Sequence, residues 1–157
     1  MDYELAYRYG APSRLDEGAG LALATSGGST PEGEVAHPYF FSGFMERPDV
    51  VAAGLLAVAR VARTRFYVPP GMVVAPGGGL TRIGMLDPVV TSTAEGLRFE
   101  SFSVCCGVYA RLDVEASALD ATHRAVGVTN VDVNQPLRAA LASLHAGEPL
   151  HLDVGEE

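Results

Sequence analysis

Val89-Val90-Thr91-Ser92-Thr93, then Ala94-Glu95-Gly96, then Leu97-Arg98-Phe99-Glu100-Ser101-Phe102-Ser103 is the stretch that decides the fold. Two runs of β-formers flank three turn residues ending in glycine, and in the second run Leu97 and Phe99 alternate with Arg98 and Glu100. Period-two alternation around a short turn is the pattern of a β-hairpin with one dry face and one wet face. The run continues as Val108, Ala110, Leu112 and Val114 on one side with Tyr109, Arg111 and Asp113 on the other, a third strand. Between them, at Val104-Cys105-Cys106-Gly107, the apolar side changes phase, which predicts a bulge or bend.

Outward from this sheet, two segments carry helical periodicity. Pro48 precedes a run from Asp49 to about Tyr67 in which Val51, Leu55, Val58, Ala62 and Phe66 share a face, and Pro69-Pro70 stops it. Asn134 is suited to cap a second helix near 135–145, with Leu137, Leu141 and Leu144 as its buried stripe. Tyr3, Leu5 and Tyr7, Leu21 to Thr25, Val126 to Val133 and Leu150 to Val154 read as further strands, Glu115 to Asp120 as one helical turn, and Ser26 to Pro31 as a turn-forming loop. His37-Pro38-Tyr39-Phe40-Phe41-Ser42-Gly43-Phe44 is an aromatic cluster whose density predicts core packing. Hairpins mixed with two helices, without βαβ alternation, predict an α+β fold: one domain over 1–157 whose helices pack on one mainly antiparallel sheet. Leu55 and Leu141 should then both be buried.

Composition narrows the function. With 157 residues, 48% of them hydrophobic, the chain can fill a core without staples. All eleven basic residues are arginine, against nineteen acidic ones, for a net charge of −8. The absence of lysine excludes Schiff-base chemistry and a P-loop, each of which needs an ε-amine. Scattered arginine on an acidic chain argues against nucleic acid as a partner, because that affinity comes from clustered cations. The acidic N-terminus Met1-Asp2-Tyr3-Glu4 and the lack of a long apolar stretch predict a cytoplasmic protein with no membrane partner.

Three passages, His37 to Phe44, Leu97 to Asp113 and Thr129-Asn130-Val131-Asp132-Val133-Asn134, resemble the region outside the zinc finger of SWIM-type zinc-finger proteins of high-GC bacteria, over about residues 20–154. The finger itself needs Cys-x-Cys followed by Cys-x-His; here the only cysteines are adjacent, so zinc is not carried over. The resemblance implies an accessory or scaffolding part working beside AAA+ ATPase and von Willebrand A-type modules, and it brings no catalytic residues. The leading expectation is therefore a non-enzymatic protein-interaction domain. The alternative is a small enzyme or ligand-binding domain.

The candidate residues divide between these readings. Cys105 and Cys106 are a thiol pair that could serve redox chemistry or bind a ligand; the plainer reading makes them inert core side chains. Asn130, Asp132 and Asn134 share one face of a strand and could hold a polar ligand, or could satisfy backbone groups around the Asn134 cap. Arg98, Glu100, Arg111 and Asp113 are placed to pair across neighbouring strands. The glycines of Ser26-Gly27-Gly28-Ser29 and Gly77-Gly78-Gly79 lack the spacing of a phosphate loop. Neither a nucleophile-elbow pattern nor any other motif selects a Ser-His-Asp triad, and no metal or cofactor is implied. The Gly/Pro-rich segment 69–88 carries Met72, Val74, Leu80, Arg82, Ile83 and Met85, a composition that predicts an exposed, mobile docking loop for a protein partner.

Overall fold

A computed structural model describes residues 8–67, 70, 86–145 and 147–156. The expected opening strand at Tyr3 to Tyr7 lies outside them, as do Met72, Val74, Leu80, Arg82, Ile83 and Met85 of the docking segment. No helix among the described residues is long and apolar enough to cross a membrane.

Among the described residues, eleven strands and two α-helices form an α+β fold. In chain order they are β1 (Arg14–Asp16), β2 (Gly20–Leu23), β3 (Thr25–Thr30), β4 (Gly33–Val35), β5 (Phe41–Met45), α1 (Pro48–Arg63), β6 (Val89–Thr93), β7 (Gly96–Phe102), β8 (Tyr109–Glu115), β9 (Leu119–Arg124), β10 (Gly127–Val131), α2 (Gln135–Ala142) and β11 (Leu150–Val154). The expected single sheet is two. One has the order β1-β2-β11-β5-β9 and the other β4-β3-β10-β6-β7-β8, and every pairing is antiparallel except β2 with β11.

The chain passes between the sheets at Ala24, between β2 and β3, and at Ala125-Val126, between β9 and β10. Phe40 extends β5, its N–H donating to the Val154 carbonyl and its carbonyl accepting the Ala125 N–H, and its buried ring lies against Gly127 of the second sheet. Leu21, Leu23, Phe41, Met45, Leu152 and Val154 of the first sheet and Val90, Leu97, Phe99 and Val131 of the second fill one core. The predicted hairpin is β6–β7, and β8 continues it in register, with Arg98 opposite Asp113 and Glu100 opposite Arg111.

Both helices lie on this core, and Leu55 and Leu141 are buried as expected. Helix α1 begins at Pro48 but ends at Arg63, four residues short of Tyr67. Thr64 turns extended, its hydroxyl donates to the Arg60 carbonyl and its own carbonyl accepts the Val104 N–H, so the chain leaves the helix there. Phe66 is consequently not part of the buried stripe; it lies exposed beyond the helix. Helix α2 is capped by Asn134, whose Oδ1 accepts the Leu137 N–H at 2.9 Å, and it ends at Ala142 rather than near 145.

The residues read as a loop at Ser26 to Pro31 are largely strand β3. A Cβ on Gly28 would stand 2.6 Å from the Val128 carbonyl oxygen, so glycine here permits close strand pairing with β10 rather than a turn. Of the segment from Glu115 to Asp120, only Ala116–Ala118 is a 3₁₀ turn, and the chain then enters β9.

Candidate functional site

Asn130, Asp132 and Asn134 are committed to the fold. Asp132 Oδ2 accepts the Ser13 N–H at 2.9 Å and Asn134 Nδ2 at 2.7 Å, while the same Nδ2 donates to the Ser13 carbonyl. Asn130 Nδ2 donates to the Asp87 carbonyl at 3.3 Å. These bonds tie β10 and the start of α2 to the chain at Ser13 and Asp87. Among the described residues no three His, Cys, Asp or Glu side chains converge as metal ligands.

Cys105 and Cys106 are not core residues. They sit in the turn joining β7 to β8, where Cys105 is half-buried and Cys106 is exposed. The turn closes through Ser103 N–H to the Val108 carbonyl (2.8 Å) and Cys106 N–H to the Ser103 carbonyl (2.8 Å). Cys106 takes the left-handed backbone conformation, φ +57°, uncommon for a residue with a Cβ. The sequence phase change at this point is thus a tight turn, and a tight turn presents its side chains outward.

Cys105 has an unusual environment. Ser103 Oγ accepts the Val108 N–H at 3.1 Å, which leaves the hydroxyl proton to point at Cys105 Sγ, 3.4 Å away. That hydroxyl, followed by the backbone N–H groups of Gly107, Phe66 and Tyr67, lowers the thiol pKa to about 6. At neutral pH the thiolate therefore outnumbers the thiol by about ten to one. The stabilisation comes from dipoles that the end of α1 and the β7–β8 turn bring together. Such a sulfur can attack an electrophile, including one sulfur of a disulfide on another molecule, whose second sulfur then leaves as thiolate.

Around this turn the surface is aromatic. Phe66, Tyr67, Phe102 and Tyr109 are between 47% and 60% exposed, and the Phe102 and Tyr109 rings lie 5.1 Å apart. The Val104 N–H to Thr64 carbonyl bond holds the end of α1, which Phe66 and Tyr67 follow, against the turn, while Phe102 and Tyr109 lie on the face of β7 and β8 opposite the one α1 covers. Sequence reasoning missed Phe66 and Tyr67, because a helical stripe extended through Phe66 made it look buried.

The charged set on β7 and β8 pairs as expected. Asp113 accepts from Arg98 at 2.8 Å and from Arg111 at 2.6 Å, and Tyr109 donates to Glu100. Arg111 first and Arg98 second hold the Asp113 carboxyl below its usual range. The set borders a shallow depression of about 400 Å³ floored by β6, β7 and β8. Asp113 binds both arginines there, and with Glu95 and Glu115 also lining the depression, carboxylates outnumber guanidinium groups in it, which disfavours an anion.

One constellation was invisible in the sequence. On the outer face of the first sheet, Ser42 Oγ lies 3.4 Å from His151 Nε2, and Asp153 Oδ2 lies 3.3 Å from His151 Nδ1. Strand register alone assembles it, since Ser42 pairs with Asp153 and His151 with Phe44. The residue types and order are those of a nucleophilic triad. Strand β5, however, is paired on both sides, by β11 and β9, so Ser42 sits within a sheet and not on the sharp strand-to-helix turn that presents a nucleophile. The arrangement is a hydrogen-bonded sheet surface, not an acyl-transfer site.

Comparison of the chain with family models, curated proteins and solved structures returns no match.

Proposed function

We propose that this chain is a non-enzymatic accessory domain that binds another protein within a bacterial multi-component assembly, through Phe66, Tyr67, Phe102 and Tyr109. The observation that carries the reading is the exposure of Phe66, Tyr67, Phe102 and Tyr109 on the two segments that the Val104–Thr64 bond joins, whereas Phe40, Phe41 and Phe99 are buried. Rigid aromatic side chains supply much of the energy of protein interfaces at low entropic cost. The apolar segment 69–88 follows directly after Phe66 and Tyr67 in the chain and adds Met72, Val74, Leu80, Ile83 and Met85 to the same reading. The resemblance to SWIM-type proteins makes an AAA+ ATPase or a von Willebrand A-type module the partner, in the cytoplasm and without nucleic acid or membrane.

The test is a photo-cross-linking amino acid in place of Phe102, activated in the native host, with the product identified by mass spectrometry. An AAA+ or von Willebrand A-type protein should be captured, and capture should disappear in a folded Phe66→Ser, Tyr67→Ser variant and in a chain with residues 71–84 replaced by a short Gly-Ser linker. No such partner, or capture that survives both changes, refutes the proposal.

A second reading, a small thiol-dependent enzyme or ligand-binding domain, is favoured by the Cys105 thiolate alone. It requires a reaction or ligand lost in Cys105→Ser while the cross-link at position 102 persists.

A further inference from the structure

We propose that two copies of this chain associate through their β8 edges about a twofold axis, joining their six-stranded sheets into one. Strand β8 is the last in its sheet, and among the described residues nothing pairs with its outer edge. It is seven residues long and contains no proline, no lysine and no bulge with β7. Exposed edges of that length are normally blunted, because they template pairing with another chain. The other edges are: β1 and β4 are three residues long, and β9 is bent by a register shift against β5.

The backbone groups on that edge point the right way. Ser103 N–H to Val108 carbonyl and Ala116 N–H to Glu95 carbonyl mark the residues that bond toward β7. In an antiparallel ladder this direction alternates, so Ala110, Leu112 and Val114 also face β7, while Tyr109, Arg111, Asp113 and Glu115 offer their N–H and carbonyl groups outward. A twofold axis at Leu112 sets Arg111 opposite Asp113 of the second copy and Tyr109 opposite its Glu115, each as a hydrogen-bonded pair.

Charge selects this register. Glu100 is opposite Arg111 within the chain, and Asp113 is opposite Arg98. The row Glu100, Arg111, then Asp113 and Arg98 of the second copy therefore alternates in sign across four strands, and the symmetry-related row does the same. The neighbouring registers set Arg111 opposite Arg111, or Asp113 opposite Asp113, so each places like charges at the axis, and only the second offsets them with Arg111–Glu115 pairs.

Helix α1 supplies an independent argument. It packs on β7 and β8, and a Cβ on Gly54 would stand 2.7 Å from Leu112 Cδ1, so the Gly54 side of the helix faces the edge. Beside Gly54 on that flank are Val50, Ala53, Ala57 and Val61; Val50 is 49% exposed, and none of the five carries a charge. Across the axis this flank meets its own copy, and small side chains let two helices approach to the usual ~8–10 Å.

Sedimentation velocity at about 100 μM, where a micromolar Kd leaves most of the chain paired, gives the test. The native chain should sediment at twice 16.4 kDa. Arg111→Asp alone and Asp113→Arg alone should each be monomeric, because like charges then face across the axis, yet an equimolar mixture of the two should form a heterodimer. Arg111→Pro removes an outward N–H without touching the β7 ladder and should also give a monomer with an unchanged circular dichroism spectrum. A monomeric native chain refutes the proposal. So does a dimer that persists in Asp113→Arg or Arg111→Pro, or a mixture of the charge variants that stays monomeric.

Discussion

Removing one hydroxyl should change the chemistry of a sulfur. In a Cys106→Ala background only Cys105 can be alkylated, and its rate with iodoacetamide, followed by mass spectrometry from about pH 5 to about pH 9, should rise with a midpoint of about 6. At pH 6 half of Cys105 is thiolate, whereas an ordinary thiol with a pKa of about 8.5 is roughly 0.3% ionised, an advantage of roughly 160-fold. A thiolate of lower pKa is intrinsically less nucleophilic, and a Brønsted slope of about 0.45 over 2.5 units returns roughly 13-fold of that gain. Cys105 should therefore react about tenfold faster than an unperturbed cysteine at pH 6, lose the advantage at pH ~7.4 and be the slower of the two above that. Ser103→Ala deletes the leading cause of the shift but leaves the Gly107, Phe66 and Tyr67 N–H groups, so the midpoint should rise while staying below the ordinary value. Ser103→Thr keeps the hydroxyl and should keep the midpoint. A native midpoint near 8.5, or one that Ser103→Ala leaves in place, refutes the account of the turn as a thiolate cradle.

Gly28→Val should abolish cooperative thermal unfolding, because its Cβ meets the Val128 carbonyl, while Gly27→Ala, with nothing within 4 Å of its Cβ, should melt near the native temperature. Asn134→Ala removes the α2 cap and one donor to Asp132, and should cost about 1–2 kcal/mol in urea denaturation. A fluorophosphonate probe should leave Ser42 unlabelled at every pH tested; labelling that His151→Ala abolishes would show that the sheet-face triad is active after all.

Legibility in the sequence followed how local the cause was. The β6–β7 hairpin, β8, β11 and the Asn134 cap all rest on residues close in sequence, and each is where the pattern put it. The division into two sheets was hidden because it depends on Ala24 and the Ala125-Val126 step, which look like any strand residues until their partners are known. Gly28 carried a turn signal whose real cause is the proximity of β10, 100 residues later in the chain. Strand β9 buries only Leu119 among its six residues, so it has almost no periodicity to read. At the candidate site, the bend at Cys105-Cys106 was visible as a phase change, but exposure of the thiols was not. It follows from the tightness of the turn, with Cys106 in the left-handed conformation, which a phase change in the pattern does not specify.

The place of β11 has a consequence for how the protein is made. Leu152 lies between Leu21 of β2 and Gly43 of β5, so the strand synthesised last among the described ones is the middle of the first sheet. Until it leaves the ribosome, β2 and β5 each show a bare edge and cannot pair with each other across the gap that β11 fills. The second sheet faces no such wait, because β3, β10, β6, β7 and β8 are complete before residue 132. Sequence-distant pairing is slow to form, and bare edges invite wrong partners while it forms. Nascent chains of this protein should thus pass through a state with one finished sheet and one split sheet, and that interval is when chaperone capture or aggregation would compete with folding.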